Sequence, residues 1–445
     1  MIRDLKPYPA YKDSGVPWLG EVPEHWLIER LKSVMSNVIQ MTGELQNGES
    51  YVALEHVESW TGRLRQADPE VFFDSQVKRF QSGDVLFGKL RPYLAKVTRL
   101  TSAGVCVGEF FVLRPCVSNV TAPYIEQLLR SKPVIDVINS STFGAKMPRV
   151  DWQFMGGMMI PLPPLPEQSA IVRFLDHIDR RIRRSIRAKQ KLIKLLEEQK
   201  QILINRAVTR GLDPNVRLKP SGVEWLGEVP EHWEVSRLSQ FFTLQRGFDI
   251  TKDQQTEGEI PVVSSGGISS YHNRATARGP GVIVGRKGTA GSVHFVTTDY
   301  WAHDTTLWVN DFKGNHQKFI YYLLQVLDLK RFDTGSANPT INRNLIHPER
   351  VAFPRYDEQA TIVAYIDKIT KDLGITIAAT QHEISLLREY RTRLIADVVT
   401  GKMDVRHISL PDESNIETIF GEDIEPLDNE TCALDEVECA VEIEE

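Results

Sequence analysis
The chain has 445 residues, enough for two or three domains, each with its own core. Its 41% hydrophobic and 25% charged residues are ordinary for a globular protein. No apolar run reaches the length of a membrane span and the N-terminus lacks a signal-peptide core, so a cytoplasmic protein without membrane contact is expected.

The net charge of −6 conceals two regions: His407 to the end holds 14 Asp and Glu and no Lys or Arg, which leaves +8 on residues 1–406. A moderately basic body permits a nucleic-acid partner. Cys106, Cys116, Cys432 and Cys439 have no metal-ligand spacing and suit a reducing compartment, so no metal is expected.

Residues 1–26 form a lead-in with prolines and the aromatics Tyr8, Tyr11 and Trp18, expected to be ordered but mostly irregular. It ends in Trp-Leu-Gly-Glu-Val-Pro-Glu-His-Trp, Trp18 to Trp26, whose tryptophans would anchor a loop on a domain face. A docking surface for another subunit is the alternative. Residues 27–160 alternate short β-rich runs with turn signals. Tyr51–Leu54, Asp84–Phe87 and Phe110–Leu113 read as strands and Tyr124–Leu129 as a short helix, so a compact mixed domain is expected.

Residues 161–210 change period. Ile171, Leu175, Ile178, Ile182, Leu196 and Leu203 fall on spacings of three and four, with Leu192 between them and Ser185, Lys189 and Gln199 as polar positions of a heptad seam. A helix over about 167–208 would be on the order of 60 Å long. Its basic residues Arg180, Arg181, Arg183, Arg184, Arg187, Lys189 and Lys191 read first as a solvated face and second as a DNA-backbone contact. Asp213-Pro214 stops the helix.

Residues 211–233 then repeat the lead-in. Ser221 to Trp233 matches Ser14 to Trp26 at an offset of 207, with only Glu224 against Pro17 different. Residues 234–352 repeat the mixed pattern, with Val282–Val284 and Thr306–Val309 as strands and Phe319–Leu329 as a helix. Residues 353–406 repeat the long helix through Ile362, Ile366, Ile369, Leu373, Ile377, Ile384, Leu387 and Leu394. Pro163 and Glu167-Gln168 answer to Pro354 and Glu358-Gln359 at an offset of 191. One module is used twice. Each helix has an incomplete seam, and antiparallel pairing would bury both. Residues 407–445 read as a flexible acidic tail.

No enzyme signature is present. Gly285-Arg286-Lys287-Gly288-Thr289 lacks the spacing of a phosphate loop. Asn338-Pro339-Thr340-Ile341 lacks the second proline and the aromatic of an amino-methyltransferase motif. His303-Asp304 has no accompanying nucleophile and reads as structural. What recurs is basic residues beside turn glycines. Lys89 and Arg91 follow a strand and Gly88, as Arg286 and Lys287 follow a strand and Gly285, and glycine would let the backbone approach a ligand. Lys146 and Arg149 near the end of the first block answer to Asn338, Asn342, Arg343 and Asn344 in the second. Such loops suit phosphate contacts and reading of base edges, Arg on guanine and Asn on adenine.

With these stretches in hand, the chain resembles the DNA-specificity subunit of type I restriction–modification systems. The resemblance rests on Tyr51 to Leu64, Gly83 to Tyr93, Ile260 to Asn273, Pro280 to Val293, His303 to Val309, Thr334 to Asn344 and the Pro-x3-Glu-Gln helix starts. It implies a mixed α+β fold: two tandem target-recognition domains separated by two long antiparallel coiled-coil helices, related by a pseudo-twofold internal repeat. It implies host defence, double-stranded DNA read as two half-sites, and helix length as the spacer. It implies no catalytic centre or cofactor in this chain. Two modification subunits would carry S-adenosylmethionine, and two restriction subunits would use ATP and Mg. The acidic tail lies outside this pattern. A stand-alone DNA-modifying enzyme and a coiled-coil adaptor that binds protein are the alternatives.

Overall fold
The computed structural model describes residues 5–46, 48–65, 76–144, 146–333 and 340–410. The lead-in forms β1 (Tyr11–Asp13) and β2 (Glu21–Pro23). The first domain follows with β3 (Leu27–Arg30), α1 (Leu31–Val34), β4 (Met35–Asn37), β5 (Met41–Thr42), β6 (Ser50–Val52), β7 (Val77–Phe80) and β8 (Val85–Gly88). It continues through β9 (Val97–Arg99), β10 (Gly104–Cys106), β11 (Phe110–Pro115), α2 (Ala122–Leu129), α3 (Lys132–Ser140), α4 (Trp152–Gly157) and β12 (Met159–Leu162) to α5 (Leu165–Arg210). The second copy has β13 (Leu218–Pro220), β14 (Glu228–Pro230), β15 (Glu234–Arg237), α6 (Leu238–Phe241), β16 (Thr243–Arg246), β17 (Ile260–Ser264) and β18 (Gly267–His272). It ends with β19 (Gly281–Gly285), β20 (Val293–Val296), β21 (Trp301–Ala302), β22 (Thr306–Asp311), α7 (Gln317–Val326), α8 (Arg343–Ile346), β23 (Arg350–Phe353) and α9 (Tyr356–Val399).

The chain divides into two compact units. Unit 1 joins the residues up to Arg187 with those from Ile384 onward, and unit 2 is Ala188–Glu383. Each therefore holds one lead-in, one mixed domain, the start of one long helix and the end of the other.

In unit 1 the main sheet has the order β4-β11-β8-β9, antiparallel throughout, with Phe111 opposite Phe87. Side chains alternate across a strand. Val85, Phe87, Phe111 and Leu113 join Tyr124, Ile125, Leu128 and Leu129 of α2 in the main core. Leu86, Phe110 and Val112 join Val52, Phe80 and Cys106 in a smaller one. Both faces are covered, which is why these strands read as unbroken apolar runs. A second sheet, β5-β7-β10-β6, contributes to the smaller core, with β6 and β10 parallel. Burial pushes the Cys106 thiol up to about 12, as befits an unreactive core side chain.

Unit 2 repeats this with the order β16-β22-β19-β20. Val282, Val284, Leu307 and Val309 meet Phe319, Ile320, Leu323 and Leu324 of α7, while Ile283 meets Val263, Tyr300 and Ala302. Here β17 and β21 form the parallel pair, and β18 adds to the other edge of β17.

The near-identical lead-ins have a physical explanation. Trp26 and Trp233 are buried, and each donates its indole N–H to the first-turn glutamate of a long helix: Trp26 to Glu167 at 3.0 Å, Trp233 to Glu358 at 3.0 Å. His25 and His232 contact the second oxygen of the same carboxylates, each at 2.8 Å. Tyr8 also donates to Glu167. The next residue joins helix to domain: Gln168 accepts from the Thr121 amide at 2.9 Å and Gln359 from the His316 amide at 2.8 Å. A negative side chain at a helix start is also favoured by the helix dipole. At the helix ends, Gly211 and Gly401 take φ of +72° and +82°, the left-handed conformation that suits glycine. A Cβ on Gly401 would lie 2.3 Å from Pro23.

The lead-in is ordered and mostly irregular, as expected, and each copy adds one short two-stranded antiparallel ribbon, in which Tyr11 opposes Pro23 and Leu218 opposes Pro230. Trp26 and Trp233 bond to the helix starts, whereas Trp225 donates to Glu349 of its mixed domain at 2.8 Å, as an anchor on a domain face would. Of the expected Tyr51–Leu54 strand only Tyr51 and Val52 lie in a strand, β6, because Leu54–His56 turns as a 3-10 helix closed by the His56 ring accepting from the Ala53 amide at 3.1 Å. The helix expected over Phe319–Leu329 ends at Val326, and Leu329–Phe332 is a separate 3-10 turn.

The long helices pair antiparallel: Asp179 with Arg391 in unit 1, and Lys189 with Glu383 in unit 2. Ile171, Leu175, Ile178 and Ile182 are buried, as are Ile362, Ile366, Ile384 and Leu394. Leu196, Leu203, Ile369, Leu373, Ile377 and Leu387 are only half-buried, and Leu192 is 43% exposed. A two-helix seam away from a domain face is open to solvent on both flanks. In the basic run Arg180, Arg181, Arg184 and Arg187 are exposed, whereas Arg183 pairs with Asp179 at 2.5 Å. Ile408 and Leu410 pack against the unit 1 core, so the tail's first residues belong to the fold, and the rest of the tail lies outside the described residues. Among the described residues no helix is long and apolar enough to cross a membrane.

Candidate nucleic-acid interface
In the first copy, β8 delivers Gly88 and the chain turns through Lys89–Arg91. The Lys89 amide donates to the Glu109 carbonyl at 2.9 Å, and the Lys89 carbonyl accepts from the Val150 amide at 3.1 Å. The Arg91 amide donates to Pro148 at 2.8 Å, and Leu90 bridges to Arg149. Phe143 and Arg149 exchange both backbone hydrogen bonds at 3.0 Å. The loop carrying Lys89 and Arg91 therefore lies against the loop carrying Lys146 and Arg149. Arg91 has a φ of +49°, a left-handed conformation that costs a non-glycine residue about 1–2 kcal/mol. The Arg91 amide bond to Pro148 and the bond its carbonyl accepts from Leu94, 3.0 Å, hold it there. Arg91 and Lys146 are exposed and Lys89 is half-buried. Arg149 is held by Glu109, with Nε 3.2 Å from Oε2. Behind the loop lies Lys78, which the sequence did not single out. It is buried, donates to the Phe110 carbonyl at 2.6 Å, and burial together with the nearby Lys89 charge holds its pKa low.

The second copy repeats the frame. The Arg286 amide donates to the Thr305 carbonyl at 2.8 Å, and the Arg286 carbonyl accepts from the Ile341 amide at 3.0 Å. Lys287 bridges to Thr340. Lys287, Asn342 and Arg343 are exposed and Arg286 is half-buried. The Asn342 side chain accepts from the Asn344 amide at 2.9 Å and so caps α8, as Asp151 caps α4 by accepting from Phe154 at 2.7 Å. Arg343 donates to the Leu244 carbonyl at 3.4 Å. Asn338 lies outside the described residues.

The glycines serve the fold more directly than a ligand. A Cβ on Gly285 would lie 2.3 Å from the Thr289 carbonyl, and one on Gly88 would lie 3.1 Å from the Leu54 side chain. Both positions are filled by the protein's own loops.

One group near Arg286, Arg246, lacked a local signal in the sequence. Arg246, at the end of β16, places a terminal nitrogen 2.9 Å from Asp304 Oδ2. Arg286 donates to the Asp304 carbonyl at 3.2 Å. Burial lowers the Arg286 pKa, the Arg246 charge lowers it further, and Asp304 opposes both. The His303 ring closes its own turn through Thr305 Oγ1 at 2.9 Å, in keeping with a structural histidine. Asp249, His303 and Asp304 place potential metal-ligand atoms within 4.8 Å of one another. The Arg246 guanidinium already engages Asp304 and Arg286 stands beside it, so the cluster's own cations compete for the carboxylate.

The family model for the type I restriction modification DNA specificity domain matches residues 79–202 and 230–385. The chain is 26% identical to the EcoDI type I restriction enzyme specificity subunit of Escherichia coli over 178 residues, 38% of this chain and 39% of that one. It is 33% identical to the MjaVIII specificity subunit of Methanocaldococcus jannaschii over 110 residues, 25% of this chain and 24% of that one. These two matches thus span well under half of either relative. The putative MjaX specificity subunit of the same organism is 22% identical over 427 residues, 87% of this chain and 96% of that one. The fold is similar to a chain in a structure concerned with complex assembly and conformational transition of the type I R-M system. The TM-score is 0.71 at 18% identity, covering 85% of this chain and 98% of that one. The HsdS subunit from Thermoanaerobacter tengcongensis gives a TM-score of 0.52 at 19% identity, covering 86% and 98%. With the family match spanning most of both copies, the chain belongs to the type I restriction modification DNA specificity family and carries its domain twice.

Proposed function
We propose that this chain is the DNA-reading subunit of a type I restriction–modification complex. Residues 27–160 read one half of a bipartite, asymmetric duplex site and residues 234–352 read the other. Lys89, Arg91, Lys146 and Arg149 serve the first half, and Arg286, Lys287, Asn338, Asn342 and Arg343 the second, with the Asn342 side-chain oxygen also holding the local backbone. The long helices dock two methyltransferase subunits, which supply S-adenosylmethionine, and the full assembly adds two restriction subunits that use ATP and Mg. The chain performs no chemistry itself. A methyltransferase brought to the site must extrude the target base to reach it. No observation favours a stand-alone enzyme or a protein-binding adaptor.

One observation carries this reading. The same backbone frame, a strand followed by a loop pinned by equivalent hydrogen bonds, presents different polar side chains in the two copies. A common frame with unequal side chains is what two related but different base sequences require. The test is methylome sequencing of cells that make the chain with its modification subunits, and of cells in which residues 27–160 are exchanged for a relative's block. The motif should be two-part and asymmetric, and the exchange should alter one half alone. A continuous or palindromic motif, or a change in both halves, overturns the reading.

A further inference from the structure
Both domains place a carboxylate beneath an arginine on the face assigned to DNA. In unit 1 the Arg149 guanidinium lies along Glu109, with Nε 3.2 Å from Oε2 and a terminal nitrogen 3.4 Å from Oε1. In unit 2 a terminal nitrogen of Arg246 lies 2.9 Å from Asp304 Oδ2, and Arg286 donates to the carbonyl of the same residue at 3.2 Å. Glu109 directly precedes β11, and Asp304 stands two residues before β22, its equivalent in the repeated sheet. The two acids occupy the same turn, one position out of step. In both pairs the carboxylate is the more enclosed partner, with side-chain exposures of 32% for Glu109 and 38% for Arg149, and of 19% for Asp304 and 55% for Arg246.

A carboxylate here opposes binding of a polyanion, because it cancels charge that would otherwise displace counterions. It has a compensating use. A guanidinium restrained along one edge still has donors to offer on another, and it loses less freedom when it meets a base. Guanine presents O6 and N7 in the major groove at the spacing of such a fork. We propose that Glu109 and Asp304 are positioning residues for base reading. Glu109 fixes Arg149, and Asp304 fixes Arg246 beside Arg286, each as an oriented fork for a guanine in one half-site. The inference rests on the functional reading above and adds the residues that would set the fidelity of each half.

Charge and orientation predict opposite changes, which makes the test specific. Glu109→Gln and Asp304→Asn remove a negative charge and release an arginine. In the complex assembled with its methyltransferase subunits, each variant should bind random-sequence duplex several-fold more tightly, since net charge at the interface rises. Each should also lose discrimination: methylome maps should show roughly 10-fold more methylation at sites carrying the wrong pair at one G·C position, in one half for Glu109→Gln and in the other for Asp304→Asn. Arg149→Lys and Arg246→Lys keep both charges and lose the fork. They should relax the same positions without the gain in random-sequence affinity. Unchanged fidelity in the Gln and Asn variants, relaxation spread over both halves, or a half-site without a G·C pair overturns the inference. Loss of fidelity only in proportion to a lowered melting temperature overturns it too. A wild-type map without a two-part motif overturns the functional reading, and the inference falls with it.

Discussion
The two mixed domains share a frame and are fastened to their helices by different chemistry. In unit 1 Gln127 donates to Asp176 at 3.1 Å, Arg130 reaches Glu126 at 3.2 Å, and Arg99 lies 3.4 Å from Glu126. On the helix side Arg183 and Arg391 flank Asp179 at 2.5 and 2.7 Å, the second too oblique for a hydrogen bond. In unit 2 the positions of Arg99, Glu126, Gln127 and Arg130 hold Phe295, Tyr321, Tyr322 and Gln325. Tyr322 donates to Asp367 at 2.5 Å and Lys318 lies 2.8 Å from the same carboxylate, while Tyr321 packs on Phe295 with centroids 5.5 Å apart. Asp176 and Asp367 correspond in the repeat. The shared requirement is thus one acceptor on the helix facing the domain, and its surroundings can be ionic or aromatic.

The comparison can be broken most forcefully at what the units share. Trp26→Ala and Trp233→Ala each remove a buried ring and a donor to a helix-start carboxylate, and each should cost its unit about 3–5 kcal/mol. Hydrogen exchange should rise in the lead-in and helix start of that unit alone. Equal loss in both units would mean that they do not unfold separately.

A smaller effect separates the two fastenings. Asp179→Ala leaves Arg183 and Arg391 without their shared carboxylate and should destabilise unit 1 by about 3 kcal/mol. Thr370, the corresponding residue, carries no charge: its hydroxyl donates to the Ile366 carbonyl at 2.8 Å within its own helix and also hydrogen-bonds the Tyr322 side chain. Thr370→Ala should cost unit 2 less than about 1 kcal/mol. Denaturant titrations followed by exchange in each unit compare them, and equal costs would show the ionic cluster to be dispensable.

The smallest effect is one of pH. Burial lowers the His316 pKa. Burial, then the Arg343 and Lys313 charges, lower that of His347, and both rings accept hydrogen bonds from backbone amides. Their contribution is complete above the ordinary histidine pKa of about 6.5 and is lost as pH falls from there through the lowered folded values. Burial acts oppositely on Glu126 and Asp176 in unit 1, raising both pKa values. Those carboxyls contribute most below their unfolded pKa and lose that contribution as pH rises through the folded one. Mild acid should therefore loosen unit 2 before unit 1, and His347→Gln should remove part of the difference. Exchange at pH 7 and at about pH 5.5 measures this, and loosening that begins in unit 1 would reverse the assignment.

The repeat made the architecture legible, because a match from Ser14 to Trp26 and a second heptad helix need no three-dimensional information. The partners of that repeat were not. Trp26 and Glu167 are 141 residues apart, and neither motif indicates the other until the chain is folded. The loop pairs around Lys89 and Arg286 were visible as basic residues beside glycines, but the glycines proved to be spaces filled by neighbouring loops. Arg246 has an ordinary strand ending around it, and only the approach of β16 to the turn before β22 brings it to Asp304. Nothing in the sequence around Asn342 shows that its side-chain oxygen caps α8, because that bond exists only once the Asn344 amide has turned into the helix.

The division of the chain has a consequence for the order in which it becomes complete. Unit 2 is continuous, Ala188–Glu383, whereas unit 1 waits for the segment from Ile384 onward. On the ribosome the first domain emerges early, yet Trp26 and Pro23 must wait for Gly401 and the end of α9 to close over them. The half made first is finished last. Until then, the face of the first domain that α9 will cover is exposed apolar surface on a nascent chain, while the second domain can already fold as a unit.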